Sequence, residues 1–398
     1  MRIATAQAFD AAVDNITRQR SELSDAQTRL SSLKRVNRAS DDPTAAARIE
    51  RALASVERND TSQRALEASR NAMTQGESAL GATVELLQQA REALVASGNG
   101  SYSDAERKGL AEQIRGIRSQ LLAVANRDDG AGRALFGGQG AAATPFSEAP
   151  GGVRFDGSTG QATAGSADGL PTTLDGAAIW LSAPTGNGVF ETRSAGVRGD
   201  AWIDSGHVSD PAAITGSRYT LQFEVGAGGT SYSVLRDGAA TAQAQQPYSA
   251  GRAIVVDGMS VAVRGTPAQG DRFELAPSTP TLSVFDTLER VANELQTPGR
   301  GPGAVAQTTA SGLRDVDALL GRVTEARSQA GSALQRLDTL GNQLATQRLG
   351  AQTERADAQD LDLVAAISDF QNRQTGMDAA LKSYAMVQRM TLFQYING

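Results

Sequence analysis

The chain has 398 residues, room for two or three domains, and its 38 basic and 44 acidic residues leave a net charge of −6, which gives no footprint for nucleic acid. It contains no cysteine, which excludes disulfides, thiolate metal sites and a cysteine nucleophile. A single histidine, His207, removes much of the remaining enzyme chemistry.

In chain order, Ala6, Phe9, Val13, Ile16, Arg20, Leu23, Gln27 and Leu30 step by three and four residues, the pattern of a helix with one seam for a partner. The opening Met1-Arg2-Ile3-Ala4-Thr5, with Asp10 and Asp14 soon after, lacks the apolar core of a cleavable signal peptide, and no stretch is long enough to span a bilayer. Export, if it occurs, is expected to use a route other than the usual secretory one. Ser40-Asp41-Asp42-Pro43 then predicts a helix start: Asp42 caps the free amides, and Pro43 suits the first helical position, where its missing N–H costs nothing. Leu66, Met73, Leu80, Leu87 and Leu94 follow every seven residues, with Ile49, Val56 and Val84 in a companion column.

After a turn at Gly98 and Gly100, Ser103-Asp104-Ala105-Glu106 reads as a capping box opening a helix that carries Leu110, Ile114, Ile117, Leu121 and Val124. Between residues 137 and 280 lie 24 of the 42 glycines and 9 of the 12 prolines, so this stretch breaks helices and predicts a β-rich insert. Its strand candidates are Arg218 to Val225, Ser231 to Arg236, Ile254 to Val263 and Arg272 to Leu275. A third body helix follows with Leu313, Val316, Leu320, Val323, Ala330, Leu334, Leu337 and Leu344. The C-terminal seam of Leu363, Ile367, Phe370, Gln374, Met377, Leu381 and Tyr384 mirrors the first.

The expected fold is mainly α with a β-rich insert: a long-helix bundle, a terminal antiparallel coiled coil and an outer β-domain. The expected segments are 1–40 (N-terminal coiled-coil helix), 41–136 and 283–353 (the two parts of the bundle), 137–282 (β-domain) and 354–398 (C-terminal coiled-coil helix). Pairing positions whose numbers sum to 397 sets Val13 opposite Tyr384, Ile16 opposite Leu381, Leu30 opposite Ile367 and Lys34 opposite Leu363. It also brings Lys34, Arg35 and Arg38 near Asp357, Asp360 and Asp362. A lone helix pair with Arg20, Gln27 and Gln374 at seam positions is a weak structure, expected to order when many copies assemble.

The serine, histidine and aspartate of Asp204-Ser205-Gly206-His207-Val208-Ser209-Asp210 are sequence neighbours, whereas triads are assembled by folding, so this run is expected to be a solvated turn. Asp357, Asp360 and Asp362 lie on a helix without a histidine, which argues against a metal loop. No catalytic, cofactor or metal site is expected.

Leu30-Ser31-Ser32-Leu33-Lys34-Arg35-Val36-Asn37-Arg38-Ala39-Ser40-Asp41-Asp42-Pro43 resembles the N-terminal signature of the flagellin family. The segment Ala326-Arg327-Ser328-Gln329-Ala330-Gly331-Ser332-Ala333-Leu334-Gln335-Arg336-Leu337 resembles its C-terminal counterpart. Leu33 stands where the family usually has glycine, and the insert is larger than a minimal member needs. Within the family, three features are similar to members that form the hook–filament junction: Ala134 to Gln139 followed by Thr144-Pro145-Phe146, the run Gly265 to Phe273, and the ending Thr391 to Ile396.

That resemblance implies a structural subunit exported unfolded through the flagellar type III apparatus, with terminal helices lining an inner tube and the insert facing outward. The implied partners are other copies of itself in a ring-like layer, hook-associated protein 1, flagellin, and an export chaperone on the apolar face from Leu361 to Tyr395. Two alternatives stand beside it: a filament subunit, and a surface-displayed binding or enzymatic module on the insert. A clustered acid pair in a cleft would favour the last, and the insert sequence shows none.

Overall fold

The computed structural model describes residues 2–165 and 169–396, with side chains described for 9–165 and 169–386. The side chain of Ala6 and those of the ending Thr391 to Ile396 therefore lie outside the described residues. In chain order the helices are α1 (Arg2–Ser32), α2 (Pro43–Ser97), α3 (Asp104–Ala125), α4 (Gly176–Trp180), α5 (Val284–Gln296), α6 (Pro302–Gln359) and α7 (Leu363–Ile396). The chain divides into two compact units, Met1–Arg64 with Leu340–Gly398, and Ala65–Thr339. No described helix is long and apolar enough to cross a membrane.

In the first unit α1 and α7 pack along each other. Beside them, the first turns of α2 and the last turns of α6 close a small core of Val36, Ala45, Ile49 and Ala358. The start of α2 forms as its residues dictate: Asp42 accepts from the Ala45 N–H at 3.0 Å, and its carbonyl takes the Ala46 N–H. Exposed ion pairs Arg48–Glu354 and Asp60–Arg348 flank this stem. Within this unit Asn59, Ala52 and Ala45 form a buried heptad column on α2, and Leu344, Ala351 and Ala358 form one on α6.

In the second unit Leu66, Met73, Leu80, Leu87 and Leu94 of α2 are fully buried, as are Val316 and Val323 of α6. The capping box of α3 is present in full: Ser103 accepts from the Glu106 N–H, and Glu106 reaches back to the Ser103 N–H at 2.6 Å. The body has one helix more than the three expected. Residues 283–353 contain the separate α5, which packs on α3 through a face that includes Phe285, Leu288, Val291 and Leu295. Pro298 to Pro302 divides it from α6.

The insert is β-rich and wholly antiparallel in its named strands. A hairpin of β1 (Phe146–Ala149) and β2 (Gly152–Phe155) leads into it. The larger sheet has the order β3 (Phe190–Ser194), β12 (Arg272–Pro277), β6 (Tyr219–Gly226), β7 (Gly229–Arg236), β8 (Ala239–Ala240), with β9 (Gln246–Pro247) also on β7. The smaller has β10 (Ala253–Val256), β11 (Met259–Arg264) and β4 (Trp202–Ile203), with β5 (His207–Val208) also on β11. Both sheets contribute to one core: Tyr219, Leu221 and Phe223 alternate inward from β6 and meet Val261 and Val263 of β11.

Two expectations are corrected here. Ile254 to Val263 is a hairpin rather than one strand, because Asp257 and Gly258 both adopt positive φ (40° and 77°), the geometry of a two-residue turn that matches strand twist. His207 lies on β5 opposite Ser260 rather than in a turn, with its side chain exposed.

Candidate assembly interface

The two terminal seams meet. Phe9 packs on Tyr384 with ring centroids 5.3 Å apart, and Arg373 bridges Glu22 at 2.8 Å. At the other end of the pair, Lys34 forms an antiparallel β-bridge with Asp360. These contacts fix numbers summing to 393, 395 and 394, so the expected register of 397 is corrected by about one helical turn. In the observed register Ile16 lies level with Met377, Leu23 with Phe370 and Leu30 with Leu363, which keeps these apolar residues facing one another.

At the elbow α1 and α6 both stop. Leu33 leaves the helix with φ of 58°, a left-handed conformation that costs an L-residue with a Cβ about 1–2 kcal/mol. The turn aims the Leu33 carbonyl at the Leu361 N–H (3.1 Å) and the Arg35 N–H at the Gln359 carbonyl (2.7 Å). Arg35 then reaches the Ala358 carbonyl at 2.8 Å and Asp42 at 3.2 Å. Lys34 does come beside Asp360, as expected, but among the described residues Lys34, Arg35 and Arg38 make no ion pair with Asp357, Asp360 or Asp362. Asp362 instead caps α7, accepting from the Val364 and Ala365 N–H groups at 3.1 Å each.

The elbow acids hold the backbone. Asp41 accepts from Asn37 and Arg38, and the amides lower its pKa, that of Arg38 most. Asp42 is lowered chiefly by the Ala45 amide and further by Arg35. Asn37 also reaches the Lys34 carbonyl, at 3.4 Å, and Pro43 opens α2 as the first-turn residue. Of the second signature, Ala326 and Leu337 are buried, Leu334 and Gly331 half-buried, and Ser328 and Arg336 exposed, while Arg327 pairs with Glu77 at 2.7 Å.

Pairing α1 with α7 does not bury the seams. Among the described residues thirteen large hydrophobics are exposed, and nine belong to the first unit: Phe9, Val13, Leu33, Leu349, Leu363, Val364, Ile367, Leu381 and Met386. Ile16, Leu23, Leu30, Phe370, Met377 and Tyr384 are half-buried. Val364 (79% exposed) and Met386 (66%) fall off the heptad columns, and the seam periodicity gave no signal for them.

In the second unit a cavity of about 740 Å³ lies between β3, α5 and α6. Its charges satisfy one another: Asp315 takes Arg290 and Arg314, Glu294 takes Arg290 and Arg300, and Arg314 also donates to the Thr192 carbonyl. It joins the β-domain to the bundle.

Residues 3–141 match the family described as bacterial flagellin N-terminal helical region, and residues 198–277 match the D2-like domain of flagellar hook-associated protein 1. Flagellin E of Vibrio cholerae is 37% identical, but over 118 residues that cover 28% of this chain and 29% of the relative. Flagellar hook-associated protein 3 of Salmonella typhimurium is 26% identical over 398 residues, covering 99% of both chains. The chain is thus similar along its whole length to flagellar hook-associated protein 3. The crystal structure of the flagellar junction protein FlgL from Legionella pneumophila agrees, with a TM-score of 0.65 and 28% identity over 70% of this chain and 94% of that one. The chain is a structural subunit of the extracellular flagellum, of the hook–filament junction type, and not an enzyme.

Proposed function

We propose that the subunit joins hook to filament by packing its terminal helix pair into a layer of identical copies, with hook-associated protein 1 on one side and flagellin on the other. The observation that supports this reading is the nine exposed apolar side chains of the first unit, which a free subunit leaves in water. Burying such a side chain is worth about 1.5–3 kcal/mol, so a ring of copies gains far more than the exposed ion pairs could supply. Before assembly the α7 face of Leu363, Val364, Ile367, Leu381 and Met386 is the segment an export chaperone would cover. The insert, with its core closed within its own sheets, faces outward.

The test is to express chains carrying Val13→Asp or Leu381→Asp in cells lacking the native chain. Both positions are exposed, so the subunit folds and is exported. Electron microscopy should show bare hooks, with flagellin in the medium. Filaments of normal length and number on both variants would reject the terminal pair as the interface.

A further inference from the structure

We propose that the elbow bridge, rather than the seam, sets the register of the terminal helix pair, with Arg35 as its positioning residue. This rests on the assembly reading. The seam by itself tolerates a slip of one heptad: Phe9 would then lie level with Met377, Ile16 with Phe370 and Leu23 with Leu363, again apolar on apolar. Arg20, Gln27 and Gln374 interrupt it in either register, and its described side chains are half-buried or exposed, none fully buried. The Glu22–Arg373 ion pair is exposed as well and discriminates weakly.

The bridge permits no slip. Its two hydrogen bonds, Arg35 N–H to Gln359 and Leu361 N–H to Leu33, are backbone to backbone and place Lys34 against Asp360. It is also anchored on both sides. Val36, two residues along, is buried with Ala45, Ile49 and Ala358. The Arg35 guanidinium spans from the Ala358 carbonyl to Asp42, the cap of α2, so one side chain ties the end of α6, the elbow and the start of α2. A register fixed on one such stitch is carried outward by helix geometry to Phe9 and Tyr384, 25 and 24 residues away.

The chain has no cysteine, so engineered pairs report the register cleanly. Flagella would be isolated from cells expressing Ile16→Cys with Met377→Cys, or Ile16→Cys with Phe370→Cys, oxidised, and scored for intrachain disulfide. In the otherwise native chain the 377 pair should crosslink at least about tenfold better than the 370 pair. Leu361→Pro removes one bridge donor and Arg35→Ala removes the guanidinium, and each should bring the two yields within about threefold. Arg35→Lys, which keeps one charged donor, should restore part of the preference. An unchanged preference for the 377 pair in both Leu361→Pro and Arg35→Ala would overturn the proposal, and if Leu361→Pro is not incorporated, Arg35→Ala decides alone. Failure of the assembly reading would look different: the otherwise native chain would be missing from the flagella.

Discussion

The backbone N–H of Arg35 donates to the carbonyl of Gln359 at 2.7 Å, so the exit of α1 and the end of α6 are held at one level. Because the Arg35 side chain also binds the residue that caps α2, three chain segments depend on one position. The signature that marks the family in sequence is thus, in part, the wiring of this joint.

Leu33→Gly should tighten the joint. Leu33 is 58% exposed, so its side chain contributes little packing, and glycine removes the cost of its left-handed backbone. The expected gain is about 1 kcal/mol locally, read as roughly fivefold slower amide exchange at Arg35 and Leu361. Faster exchange at both amides would show that the leucine side chain stabilises the turn.

Asn59 should cost the stem stability. It is 7% exposed in a heptad column between Ala52 and Leu66, and at that spacing it lies level with Leu344. A polar residue at such a position weakens a coil while restricting its alignment. Asn59→Leu is expected to stabilise the stem by about 1–2 kcal/mol, measured by urea denaturation, whereas Leu80→Ala in the bundle should cost about 2–5 kcal/mol. Destabilisation by Asn59→Leu would mean that the amide has a partner worth more than its burial costs.

The elbow should loosen in acid. Asp41 and Asp42 have folded-state pKa values below their ordinary 3.8, so they stabilise the fold above that pH, and the contribution is lost as pH falls through the lowered values. Amide exchange at Arg38 and Ala45, corrected for intrinsic rates, should rise relative to the α2 interior between about pH 5 and about pH 3. Asp42→Asn should flatten the response at Ala45 and leave Arg38 unchanged. A flat profile at both amides in the native chain would contradict the capping roles.

Limited proteolysis of the purified subunit should remove the terminal helices first, because a helix pair without a third layer opens readily. The resistant fragment should retain Ala65–Thr339, the larger compact unit. Cleavage within α2 between Leu66 and Leu94 ahead of cleavage in α1 would reverse this ordering.

Much of this fold could be read from periodicity. The seams, the buried column from Leu66 to Leu94, the Ser103 box and the glycine-rich β segment are local patterns, and each forms as local physics dictates. The register was not legible. Opposite charges near the elbow point to the 397 register, but exposed charges discriminate weakly, and Arg35 turns to Asp42 and a carbonyl instead. No glycine announced the left-handed turn at Leu33, and the bridge it creates joins residues more than 300 apart in sequence. The short α5 lies in the 283–353 bundle segment but has too few turns to show a heptad column, and the Asp257-Gly258 turn is hidden inside a run of β-formers. The assembly residues were legible as seams, while Val364 and Met386 became visible only as exposed surface.

Electron microscopy of flagella from cells lacking this chain tests the central claim most directly. The account predicts hooks of normal form without filaments, flagellin shed into the medium, and restoration by the full chain but not by one lacking residues 2–32. Filaments of normal length on the deletion strain would contradict it.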